Sequence, residues 1–408
     1  MSRLSLILQI NNLLFWFVLE LSRPTLAFSL AERVDSPARL GMLLAFQSLL
    51  PLFLAIPVGM AGDRLGPRRL LPLGSMLLIG SGMTYLAAEQ MKIADGSYFV
   101  LILTAQLTNG VAWLLIWIAT QSLVSTGVIE KRGETRQRVN MLALTSSIGA
   151  LAGPITSGFL YPLGGAITVW MTFLCLVVVH LFLSVCIYRM TAASLTNTGP
   201  NAADTFSVTM QRSGWADLGG PIYLFVLLAS LVLFVGSEFR GSFMPAYLSQ
   251  LGTDTRSIGI VLTVGAAGVG IARLLISLNL LRLKPRVSVA LALGMSISGV
   301  ALLPLMQYGG VGALAVISLL LAVGVGIGEP VLIYTILHAT KPFKRSLALA
   351  GRLTANRAAM LISPLCAGYA VQSLGAAGGM AALSAAMAVV GIIAVWLFYR
   401  HTPEPNQL

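Results

Sequence analysis

Charge is what this sequence has least of. Only 10% of its 408 residues are Asp, Glu, Lys or Arg, whereas a soluble domain carries about a quarter, so water is not the main solvent of the folded chain. Cysteine is scarce too. Cys175, Cys186 and Cys366 each sit in an apolar run without metal-ligand spacing. That pattern excludes a disulfide framework and a zinc site and reads as three small core residues. No lysine follows a glycine, so a Walker A loop is missing and ATP is excluded as the energy source. Neither a zinc-protease helix nor a nucleophile elbow occurs, which removes the usual grounds for a membrane enzyme. No cofactor or metal is expected.

What is abundant is apolar: 57% of the residues are hydrophobic. One helical crossing takes roughly 20 apolar residues for a hydrocarbon core about 30 Å thick, so the length allows about a dozen crossings with short loops. Long apolar stretches broken by polar turns predict helices near 6–30, 37–60, 71–89, 98–122, 139–161 and 166–189. A second set follows near 218–249, 256–281, 287–306, 311–338, 346–371 and 376–399. The predicted fold is all-α and transmembrane, with twelve helices in two pseudo-symmetric six-helix bundles, 1–189 and 218–399. Between them, residues 190–217 are rich in Ser, Thr, Asn, Asp and Gly and read as a tether; 400–408 form a tail. The first run contains Glu20 and Arg23 and has no small-residue cleavage site, so it reads as a retained helix.

The net charge of +12 would suggest a nucleic-acid partner in a soluble protein, and its placement decides against that. Short membrane loops on the cytoplasmic side are enriched in Lys and Arg. One alternate set of loops holds Arg64, Arg68 and Arg69; Lys131, Arg132, Arg136 and Arg138; Arg282, Lys284 and Arg286; and Lys341, Lys344 and Arg345. The other set holds only Arg33, Arg39, Lys92 and Arg256, each near an acid. Both termini and the tether are therefore expected in the cytoplasm, with no nucleic-acid role.

The halves also resemble each other. Pro154, Gly158 and Phe159 precede Leu163-Gly164, as Pro364, Gly368 and Tyr369 precede Leu374-Gly375. More loosely, Glu20, Arg23 and Pro24 match Glu238, Arg240 and Pro245. Weak internal symmetry of this kind marks carriers that rock one bundle against the other around a midplane site.

The most specific local motif is the second loop, Gly59-Met60-Ala61-Gly62-Asp63-Arg64-Leu65-Gly66-Pro67-Arg68-Arg69. Gly62 and Gly66 suit a tight turn, and Asp63 can lie at the positive N-terminal end of a neighbouring helix. That contact is worth about 0.3–1 kcal/mol when exposed and up to about 2 kcal/mol when partly buried. The stretch resembles the signature loop of the major facilitator superfamily, Gly-x-x-x-Asp-Arg-x-Gly-Arg-Arg/Lys, with Pro67 interposed. The resemblance implies a conformational latch of Gly59, Asp63, Arg64, Gly66 and Arg68 on the cytoplasmic side. A plain positive-inside loop is the blander alternative. The second-half counterpart, Arg282-Leu283-Lys284-Pro285-Arg286, keeps the charge but lacks the acid and the glycines.

The fifth predicted helix carries Gly149, Gly153, Pro154 and Gly158, small residues that allow close helix contact and a proline that favours a bend. It resembles the antiporter motif of the drug-exporting branch, with Ser157 replacing a glycine, which implies export. In the fourth helix that branch often carries an arginine four residues before a glycine; here the position is Gln106, before Gly110. Asn109, Trp113 and Trp117 share that helix and suit either substrate contact or packing.

Charges within a span cost about 2.5–3.5 kcal/mol on insertion scales, so each is a functional candidate. The carboxylates are Glu20, Glu238 and Glu329, suited to proton coupling. Glu20 and Arg23, three apart, also read as a neutralising pair. Arg23, Arg240, Arg273, Arg352 and Arg357 outnumber the acids, which favours an anionic or zwitterionic client. Arg273 and Arg352, near cytoplasmic helix ends, also read as snorkelling side chains. Asn356 and Arg357 lie deeper, and neither His180 nor His338 reads as a proton carrier. The sequence thus points to a monomeric carrier in the cytoplasmic membrane of a bacterium, exchanging protons for a small organic compound such as a drug, metabolite or siderophore. Proton-coupled import is the rival within transport, and a sensor or assembly factor the rival outside it.

Overall fold

The architecture is that of a computed structural model, which describes residues 3–91, 96–125, 135–195, 220–278, 280, 283–340 and 345–401. Among them the regular structure is all helical, without strands. The helices are α1 (Arg3–Arg33), α2 (Pro37–Leu65), α3 (Pro67–Glu89), α4 (Ser97–Ser125), α5 (Thr135–Leu195) and α6 (Pro221–Glu238). They continue with α7 (Met244–Gln250), α8 (Thr255–Ser277), α9 (Pro285–Met306), α10 (Gly310–Ala339) and α11 (Arg345–His401). Four open on proline, whose missing N–H is no loss in a first turn: α2, α3, α6 and α9. α8 is capped by the Asp254 carboxylate, which accepts from the Ser257 backbone N–H at 3.3 Å.

Ten helices among the described residues are long and apolar enough to cross a membrane. Two of these, Met141–Thr191 and Gly351–His401, have 51 residues each, about 76 Å at 1.5 Å per residue. That is more than twice the ~30 Å hydrocarbon thickness. Both contain a break where the sequence places a turn. Gly165 has φ 65° and Gly375 φ 71°, left-handed values that favour glycine. Pro154, Gly158 and Gly165 are therefore matched, at one constant offset, by Pro364, Gly368 and Gly375, and the internal repeat extends to backbone conformation.

The chain divides into two compact units. Met1–Ser29 with Phe46–Met210 form the first, and Leu30–Ala45 with Gln211–Leu408 the second. The start of α2 thus belongs with the C-terminal helices rather than with its own half of the sequence. The reason is close backbone packing. A Cβ on Gly41 would sit 2.0 Å from the Pro364 carbonyl oxygen, and one on Gly368 would sit 2.3 Å from that of Pro37. Around this crossing Ser36 Oγ donates to Gln372 Oε1 at 2.6 Å, the Ala38 N–H to the same oxygen at 3.1 Å, and Gln250 Nε2 to the Val34 carbonyl at 2.8 Å.

In the first unit α3 packs against α4 and α5, with Trp170 stacked on Tyr85 at 4.2 Å. In the second, α6 packs on α11, with Phe225 stacked on Phe398 at 4.4 Å, and α10 lies against α8 and α9. α2 and α4 meet at Gly110, whose added Cβ would be 2.0 Å from the Gln47 carbonyl oxygen. Gly110→Ala is expected to lower stability by about 1–3 kcal/mol, as overpacking does; thermal unfolding in detergent checks it.

Three sequence expectations are corrected here. α5 continues to Leu195, six residues into the stretch read as tether, the rest of which lies outside the described residues. α2 runs on to Leu65, so most of the signature motif is helix and Gly66 alone turns, with φ 79°. The cysteines are not core residues: Cys175 and Cys366 are exposed and Cys186 half-buried.

Candidate functional site

In the first unit, α5 is pressed onto α1 by its glycines. A Cβ on Gly149 would lie 2.4 Å from the Leu13 carbonyl oxygen, and one on Gly153 would lie 2.6 Å from the Glu20 Cβ and carbonyl carbon. Pro154, Ser157 and Gly158 are buried on the same helix, and Ser157 Oγ shares a hydrogen bond with Thr25 Oγ1 at 2.8 Å. Further along, Asn12 Nδ2 donates to the Leu142 carbonyl, Thr145 Oγ1 and Ser146 Oγ at 3.1, 2.8 and 3.0 Å. The small-residue motif thus brings two backbones together beside Glu20.

Glu20 lies 3.7 Å from Arg23, both side chains about one-seventh exposed. One turn before Glu20, Trp16 meets Trp117 edge to face at 5.6 Å, and Trp117 stacks on Trp113 at 5.9 Å. α1 and α4 therefore offer an ion pair and an aromatic wall. Gln106 and Asn109 turn elsewhere. Gln106 Oε1 accepts from Tyr85 Oη at 2.9 Å on α3, and Asn109 Oδ1 accepts from Gln47 Nε2 at 2.7 Å on α2. Both bonds bind neighbouring helices, as polar side chains do within spans.

The latch is visible in part. Gly62 faces Leu70 of α3, with 3.0 Å between an added Cβ and Leu70 Cδ1, and Arg68 lies 5.9 Å from the Tyr188 ring, a cation–π contact. Gly59 has open space around it. The side chains of Asp63, Arg64, Arg136 and Arg138, and residues Lys131, Arg132, Lys341 and Lys344, lie outside the described residues.

In the second unit, Glu238 and Arg240 flank and enter a π-helical turn, Phe239–Phe243, between α6 and α7. Such turns recur at functional sites. Glu238 is buried, and Arg240 Nη1 donates to the Leu262 carbonyl of α8 at 3.2 Å. Arg357 Nη1 contacts Met360 Sδ at 3.4 Å. Arg352 does not snorkel, its side chain being 6% exposed, whereas that of Arg273 is 40% exposed. Glu329 of α10 takes Arg273 Nη2 on Oε2 at 2.5 Å and Arg352 Nη2 on Oε1 at 3.4 Å. Asn356, one turn beyond Arg352, is buried.

Glu89 was missed in the sequence, and the surroundings of His180, which the sequence sets aside as a proton carrier, were not foreseen. Glu89, the last residue of α3, is buried and accepts a 2.5 Å hydrogen bond from Ser29 Oγ. Its only sequence signal is an acid at a span end, which reads as a loop residue. His180 is buried among Asn11, Ser75 and Ser184, with Nδ1 3.0 Å from Ser75 Oγ. No group of three or more metal-ligating side chains occurs among the described residues.

A multi-pass helical protein in two units, with carboxylates and guanidiniums held inside its spans, has the make-up of a secondary transporter. Its sequence matches the family model of the Major Facilitator Superfamily over residues 8–328 and 226–408, and the chain belongs to that superfamily. It is 28% identical over 148 residues to the MFS-type transporter ppzB of Metarhizium rileyi, a match covering 35% of this chain and 28% of that relative's length. Among solved structures, a POT family transporter in complex with 5-aminolevulinic acid aligns with a TM-score of 0.76 at 12% identity, covering 99% of this chain and 97% of that one. The nucleoside transporter NupG gives 0.70 at 14%, covering 97% and 99%. The xylose transporter XylE from E. coli, inward open, gives 0.72 at 15%, covering 98% and 96%. At these identities the likeness is one of fold.

Proposed function

We propose that this transporter is a proton-coupled antiporter that exports a small organic compound by alternating access. It acts as a monomer in the cytoplasmic membrane with both termini inside. The observation that carries the reading is the seating of Gly149 and Gly153 on α1 beside Glu20. Any sliding of α5 on α1 changes the surroundings of that carboxylate, and a glycine face leaves the backbones free to slide. Counting each of the two broken 51-residue rods as two crossings supports twelve spans, and the basic loops support the orientation. Glu20 carries the proton and Arg23 holds its charged form between turnovers.

Cells with and without the protein, loaded with labelled candidate solutes, test direction: lower accumulation with the protein is expected. Glu20→Gln removes the proton site and is expected to leave solute exchange but abolish its dependence on a pH gradient. Normal gradient-driven flux in that variant would sink the Glu20 assignment. Proton-coupled import is the second reading, favoured by Gln106: where exporters of this branch often carry an arginine, this chain has a neutral side chain bonded to Tyr85. Higher accumulation with the protein would select it.

A further inference from the structure

Arg352 is held where a cation is expensive and is only partly answered. Its side chain is 6% exposed, its one contact to Glu329 is 3.4 Å long, and Nε and Nη1 find no hydrogen-bond partner among the described residues. Buried polar groups are normally satisfied, and an unpaired charged donor carries a heavy desolvation penalty. Glu329 is shared, and its shorter bond goes to Arg273. Two guanidiniums against one carboxylate leave a net positive charge on α8, α10 and α11. On the same face of α11 as Arg352, one turn on, Asn356 is 4% exposed and its Oδ1 also lacks a partner.

We propose that Arg352, Arg273 and Asn356 form a binding site for the carboxylate of a small organic acid, with Glu329 as the internal counter-charge that the acid displaces from Arg352. This deepens the transport reading above, on which it rests, by naming the substrate class. The incoming carboxylate takes the N–H groups that Glu329 leaves unserved. Glu329 keeps its bond to Arg273, so the site is not left with two bare cations when the acid departs. A carbonyl oxygen such as Asn356 Oδ1 asks for a donor, so the acid carries a hydroxyl or amino group next to its carboxylate. Arg273 is 40% exposed, so a lipid phosphate is the other source of an oxyanion, but the burial of Arg352 and Asn356 suits a small soluble acid.

The test is calorimetric titration of the purified protein in phosphatidylcholine nanodiscs with propionate, lactate and propionamide. Both acids are expected to bind about tenfold or more tighter than the neutral amide, the ratio expected for a charge-assisted hydrogen bond. Lactate should bind more tightly than propionate, and Asn356→Ala should erase that difference. Arg352→Gln should weaken both acids about tenfold or more, while Glu329→Gln, which removes the competitor, should tighten them. A purely structural ion pair would give no tightening. Equal binding of acid and amide, unchanged binding in Arg352→Gln, or weaker binding in Glu329→Gln overturns the site. Binding in phosphatidylcholine that vanishes in phosphatidylglycerol discs assigns the oxyanion to a lipid headgroup and also overturns it. No gradient enters this measurement. Solute flux without acid preference would remove this site alone, whereas acid binding without flux would remove the transport reading alone.

Discussion

Gly41→Leu is expected to abolish solute transport while the protein still inserts and can be purified. The residue lies where α2 crosses α11 backbone to backbone, and even a Cβ would come within 2.0 Å of the Pro364 carbonyl oxygen. A backbone carbonyl held in a helix cannot swing aside as a side-chain tip can. Overpacking costs typically 1–3 kcal/mol, and at the upper end this reduces the population of the observed packing by roughly a hundredfold. A transport cycle that opens and re-forms this crossing loses turnover by that factor, which is the role this variant tests. Gly368→Leu, on the facing surface, should act alike, with 2.3 Å to the Pro37 carbonyl oxygen. Gly80→Ala is the control, because nothing lies within 4 Å of its added Cβ. Initial rates in proteoliposomes at equal protein content decide the matter: flux in Gly41→Leu close to that of Gly80→Ala would remove the crossing from the cycle.

The second large effect is on stability. Glu329→Leu leaves Arg352 buried without a counter-charge, and breaking a buried pair on one side costs roughly 3–5 kcal/mol. The expected loss falls toward the lower end, since the Arg352 contact is long and Arg273 is 40% exposed. Adding Arg352→Leu should restore much of that loss, because the double variant buries no unpaired charge. Thermal unfolding of the single and double variants in one detergent measures it. A double variant less stable than Glu329→Leu alone would show that Arg352 has another anchoring partner.

The spans were legible because the bilayer imposes a long apolar run on every crossing. The breaks were legible to within one residue: the sequence pairs Leu163-Gly164 with Leu374-Gly375, whereas the left-handed glycines are Gly165 and Gly375. The signature motif was recognisable, but its conformation was not: glycines at 59 and 62 suggest a loop, whereas the helix runs on until Gly66, the one position in the motif with positive φ. Side-chain destinations were the least legible. Gln106 and Asn109 share a helix with two tryptophans, and only packing reveals that Tyr85 and Gln47 claim them. Arg352 near a helix end suggests snorkelling until α10 supplies Glu329. Glu89 sits at the margin of a span, and its burial depends on Ser29, far away in sequence.

Exchange of protons for a small organic solute by this member of the major facilitator superfamily is to be measured in sealed proteoliposomes. The vesicles contain a trapped pH dye, and labelled small organic acids and their neutral amides are added on either side. Under proton antiport an imposed pH gradient drives solute against its concentration gradient, opposite in direction to proton movement, and a solute gradient alone shifts the dye signal. Solute movement with no proton movement, or no movement of any solute under either gradient, would contradict it.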